Sequence, residues 1–155
     1  MKYWLMKTEP DTFSIQDLYN SKNHTTSWEG VRNYQARNFM RDQMKKGDLI
    51  LIYHSSCKTP GIVGLASVTR ESHPDRTALD PNSNYYDPKA TIENPRWYLV
   101  DVKWKETFNK TISLKTLKAN PKLQEMKLVQ KGCRLSVMPV TKNEFNLILE
   151  ISKTN

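Results

Sequence analysis

The residues best equipped for chemistry fall in two short stretches, "WEGVRNYQARNFM" from Trp28 to Met40 and "YHSSC" from Tyr53 to Cys57. The second places an imidazole, hydroxyls and a thiol side by side. A nucleophile, however, needs a base within hydrogen-bond reach and a third group to orient that base, usually gathered from distant segments. On an extended strand His54 and Ser55 point to opposite faces and make poor partners. The chain has five glycines, and no nucleophile elbow, phosphate-cradling loop or metalloprotease helix can be traced among them. Catalysis is not expected. Cys57 and Cys133 have no paired ligand spacing, and His24, His54 and His73 are scattered, so neither a metal nor another cofactor is expected.

The first stretch suits binding better. Trp28 lies two residues before Gly30, where a large ring can form one wall of a slot and glycine lets backbone approach a planar ligand. Asn33 offers both a donor and an acceptor, and Ser55 a hydroxyl; the edge of a purine or pyrimidine requires that mixture. The charge agrees. Lys and Arg number 24 against 16 Asp and Glu, a formal net charge of +8 over 155 residues, which favours a polyanion such as DNA or RNA as partner. The runner-up is a module that binds a small molecule or a protein in the same slot. It would lack the strong salt dependence of a phosphate contact.

These residues need a scaffold. "KYWLM" reads as a strand, and Ser14 with Asp17 opens a short helix in the manner of a capping box. From Tyr34, the spacing of Ala36, Phe39, Met40 and Met44 predicts a helix with one apolar stripe, stopping near Gly47. "DLILIYHSS" and "IVGLASVT" read as paired central strands, with Gly64 and Ala66 permitting a close neighbour. Glu71 to Pro95 reads as a long surface excursion. "WYLVDVKWKETF" alternates as a half-buried strand. Short helical patterns follow in "SLKTLKAN" and "KLQEM", then a strand in "CRLSVMPV" and a last helix from Thr141. Residues 1–155 thus read as one α+β domain, built on a strongly curved sheet or small barrel flanked by short helices. No apolar run approaches the ~20 residues needed to span a bilayer, so no membrane contact is expected. The reading is a cytoplasmic chain with both thiols reduced.

"YWLMKTEP", "FSIQDL", "WEGVRNYQARNFM", "MKKGDLILIYHSS", "GIVGLASV", "YYDP", "PRWYLVDV" and "LSVMPV", in this order, resemble the EVE domain family from Tyr3 to about Val140. The resemblance implies a PUA-like fold, related to the YTH domains that bind methylated adenine in RNA. It also implies a reader whose pocket accepts a modified base flipped or splayed from its strand. By position it nominates Trp4, Lys7 and Glu9, then Trp28, Val31, Arg32, Asn33 and Tyr34, then His54 and Ser55 as pocket or rim residues, joined by Arg134 and Ser136. Family members often carry Asn after "YHS" where this chain has Ser56, which leaves the polar lining of one wall open. An accessory role beside a nucleic-acid-modifying enzyme rests on fold analogy alone.

Overall fold

In "YWLMKT" successive side chains turn to opposite sides of a strand, β1 (Tyr3–Thr8), sending Trp4 and Met6 to one side and Leu5 to the other. The computed structural model describes residues 1–154. Five further strands follow: β2 (Thr25–Ser27), β3 (Leu49–His54), β4 (Gly61–Pro74), β5 (Tyr98–Ser113) and β6 (Val137–Val140). All six join one mixed sheet in the order β2-β5-β4-β3-β1-β6. β1 runs parallel to β3, and the other pairings are antiparallel. The sheet is open, with β2 and β6 at its ends, rather than closed as a barrel.

Both faces of this sheet are buried. One carries Trp4, Met6, Ile50, Ile52, Val100 and Val102 beneath two helices, α1 (Ile15–Asn20) and α2 (Tyr34–Asp42). The other carries Leu5, Leu51, Tyr53, Ile62 and Phe108 beneath α3 (Leu114–Ala119) and α4 (Lys142–Thr154). Ser14 and Asp17 form the expected capping box on α1. The apolar stripe of α2 buries Ala36 and Met40 against the sheet.

Three features depart from the sequence reading. β4 continues to Pro74 and β5 to Ser113, so the long excursion begins later than Glu71. Their pairing carries several register shifts, and such bulges break the strict alternation by which strands are read. "KLQEM" is no helix: a single 3-10 turn at Pro121–Leu123 overlaps its start and another at Lys127–Val129 follows it. β2 was not foreseen because three polar residues on one edge carry no periodic signal.

Trp4, nominated for the pocket, is a core residue. It is 1% exposed, tilts against Phe39, and donates from Nε1 to Asp48 Oδ2 at 2.9 Å. The pleat explains this, because position 4 shares its face with Met6 and must pack under α2.

Gly64 is where two elements close on the sheet. A Cβ there would lie 2.2 Å from the Glu106 carbonyl oxygen and 2.3 Å from Ile15 Cδ1. Gly64→Ala is therefore expected to destabilise the fold by about 1–3 kcal/mol, read as a lowered urea midpoint.

Candidate functional site

The segment between β2 and α2 is fixed at both ends. The Trp28 amide donates to the Val100 carbonyl at 2.9 Å, and Asn33 caps α2, its Oδ1 accepting from the Ala36 amide at 3.0 Å. Between them Gly30 has φ +89, and a Cβ would meet the Tyr85 ring at 2.6 Å. The close approach that glycine permits is therefore made by a side chain of this protein, Tyr85.

A buried carboxylate holds the turn. Asp75 is 1% exposed. Its Oδ2 accepts from the Gly30 amide at 2.8 Å and from Arg32 Nη1 at 3.0 Å, while Oδ1 accepts from the Thr77 amide at 3.0 Å. Burial pushes its pKa up, but the bonds from Thr77, Gly30 and Arg32 outweigh burial and leave it below the ordinary value. Arg32 is engaged on every side. It also donates to the Tyr85 carbonyl at 2.7 Å and to Thr77 Oγ1 at 3.2 Å, and lies 5.3 Å from the Trp97 ring centroid.

Beside this turn opens a cavity of about 630 Å³. Seven nominated residues line it: Lys7, Glu9, Trp28, Val31, Arg32, Asn33 and Ser136. Trp28 is 7% exposed, belongs to the core beneath α1 and α2, and meets Phe13 edge-on at 6.2 Å while bordering the cavity. Asn33 is exposed. Its oxygen serves the helix cap, and its NH2 makes no hydrogen bond among the described residues. Glu29 has its pKa raised by burial and by the charge of Asp75, against a lowering by Arg32.

The other five lie elsewhere. Besides Trp4, Tyr34 is outside the cavity, stacked on Trp97 at 4.9 Å with the Arg37 guanidinium 4.7 Å from its ring centroid. His54 packs behind the site, its Nε2 accepting from the Ile15 amide at 3.1 Å, which places the ring proton on Nδ1. Ser55 continues the β3 line, its amide donating to the Thr8 carbonyl at 3.0 Å. Arg134 is exposed on the segment before β6 and absent from the cavity lining. Ser56, where the resemblance led one to expect Asn, has φ 53 and does not line the cavity. Asn tolerates that left-handed region better than Ser does, so the difference touches turn geometry rather than a polar wall.

Sequence reasoning missed Asp75, Glu29, Phe13, Asn84 and Tyr85. A pair of rings, Tyr85 and Tyr86, in an otherwise polar excursion was the one available sign of the loop's part. Nothing in "SHPDR" marks Asp75 as the residue that would be buried.

An open mixed sheet buried on both faces, with a polar and aromatic cavity at the turn before α2, is the architecture of a family that the chain's own residues identify. The EVE domain model matches residues 2–151, and the chain belongs to that family. Thymocyte nuclear protein 1 of Rattus norvegicus is 42% identical over 97% of this chain and 74% of its own length. A Pseudomonas putida protein of known structure superimposes with TM-score 0.92 at 51% identity, covering 97% of this chain and 99% of that one. The human THYN1 protein, solved in complex with 5-methylcytosine containing DNA, superimposes with TM-score 0.94 at 39% identity, covering 100% of this chain and 99% of that one. These relatives also correct the cytoplasmic expectation, since those of rat and human are named a nuclear protein. The expectation rested on the lack of a membrane-spanning run, which cytosolic and nuclear chains share.

Two outcomes follow. Asp75→Ala leaves the Arg32 charge and the Gly30 amide without their partner and is expected to cost about 3–5 kcal/mol in urea unfolding. His54 accepts a bond in its neutral form, and burial lowers its pKa from 6.5. Its contribution is thus complete above pH 6.5 and lost as the pH falls through the lower folded value. Unfolding midpoints should drop from pH 7 to pH 5, and His54→Gln, whose amide oxygen can accept the same bond, should flatten that drop.

Proposed function

We propose that this protein reads a modified cytosine in DNA, holding the base in the cavity at the turn before α2. The observation that carries the reading is the presence of Trp28 and the Asn33 amide on one cavity of about 630 Å³, in a chain that superimposes at TM-score 0.94 on a human relative solved with 5-methylcytosine containing DNA. A cavity of that size is ample for a single base and falls in the usual range for ligand sites. Trp28, with Phe13 and Tyr85 nearby, supplies apolar contact to the ring and to a 5-methyl group. Burying one methyl contributes only about 1 kcal/mol, so selectivity also depends on the polar edge. There the Asn33 NH2 donates to an acceptor of the base, and a carboxylate of Glu29 or Glu9 accepts from an exocyclic amine. Lys7 and Ser136 complete the rim. The role is recognition without covalent change.

Asn33→Asp and Asn33→Ser test this, because both keep an oxygen to cap α2 while removing the NH2 donor. Each should weaken binding of an oligonucleotide carrying one 5-methylcytosine by about 1 kcal/mol, roughly fivefold in Kd, with α2 intact by circular dichroism. Wild-type preference for methylated over unmethylated strands in both variants would rule out the assignment.

A further inference from the structure

Lys7 has a second neighbourhood. It lines the base cavity and also an adjoining cleft of about 430 Å³, whose other charged residues are Lys118 and Lys131. We propose that this cleft holds a phosphodiester group of the bound strand, next to the base in the main cavity; the identity of the strand rests on the reading above.

Three lysines and no carboxylate line this cleft, and one of them, Lys7, is shared with the base cavity. Arg32, Arg41, Lys45 and Arg96 each face a carboxylate, at Asp75, Asp42, Glu71 and Asp87. Among the described residues none of the three cleft lysines has such a pair, and no carboxylate lines the cleft. Like charges gathered without compensation repel one another until an anion lies among them. A phosphate supplies that anion.

The rim is also braced by the protein's own hydrogen bonds. Gln124 Nε2 donates to the Lys118 carbonyl at 2.9 Å and to the Asn120 carbonyl at 2.7 Å, and Gln130 donates in turn to the Gln124 carbonyl. These bonds fix the backbone that carries Lys118 and tie it to the segment that carries Lys131. The Lys7 ammonium is 5.6 Å from the Tyr53 ring centroid, and the residue borders both cavities. A strand with its base in one cavity then has a neighbouring phosphate within reach of the other.

The test is the double variant Lys118→Gln, Lys131→Gln, whose side chains make no hydrogen bond among the described residues. Binding is measured across salt concentrations with two otherwise identical oligonucleotides, one carrying a 5-methylcytosine and one unmodified. Affinity for both should fall together by roughly fivefold at about 0.1 M salt, and the slope of log Kd against log salt should drop by about one to two, with the ratio between the two strands unchanged. Lys142→Gln with Lys153→Gln on α4 should leave the slope as it is. A Lys118, Lys131 variant that keeps the wild-type slope, or falls no further than the α4 control, overturns the proposal. Equal wild-type affinity for the two strands would instead sink the base reading, and the salt slope would still report on the lysines.

Discussion

The site depends on the carboxylate of Asp75, buried where the end of β4 meets the turn before α2. Two stretches of chain with no regular structure meet there, and each brings donors that burial would otherwise leave unmatched. An amide from Gly30, the Arg32 guanidinium and the amide of Thr77 converge on two oxygens. A buried charge persists only when it is paired and hydrogen-bonded on several sides. Arg32 then passes the constraint outward, holding the Tyr85 carbonyl so that the Tyr85 ring covers Gly30. One wall of the cavity is thereby shaped by the protein's own bonds.

That arrangement divides labour between neighbouring residues. Arg32, positively charged and beside the cavity, has its donors committed to the protein and its charge balanced by Asp75. Asn33, one residue on, has an oxygen committed to the helix and an amine left over. The twin faces of the sheet add rigidity from below, since the strand carrying Lys7 is packed on one side by Trp4 and Met6 and on the other by Leu5. A preorganised pocket of this kind loses little ordering entropy when it binds.

Much of the scaffold was legible in the sequence because its signals are local. The stripe of Ala36, Phe39 and Met40 marks α2, which ends at Asp42, short of Met44; Ser14 with Asp17 marks α1, and the run "LILIY" marks a strand buried on both faces. The density of rings and amides from Trp28 to Asn33 marks the turn that borders the cavity. The rest was hidden because it is made by meetings across the chain. Trp4 and Trp28 are the same residue type, yet Asp48 fixes one in the core while the other borders a cavity. Tyr34 sits beside Asn33 in sequence, but the first turn of a helix sends it to Trp97 on the outside. Asp75 carries no local mark at all, because its burial is decided by a loop 45 residues away in sequence.

The order of strands also bears on how the chain is made. β1 lies between β3 and β6, pairing Tyr3 with Leu49 on one side and with Val140 on the other. Within this domain the first strand made thus waits for the last before its outer edge is covered. Contacts of such long sequence separation slow folding, because loop closure must precede the pairing that rewards it. Until β6 emerges, the backbone of Tyr3 to Met6 lacks its partner on that side, and an unpaired strand edge of this kind is where a growing sheet is most open to mispairing.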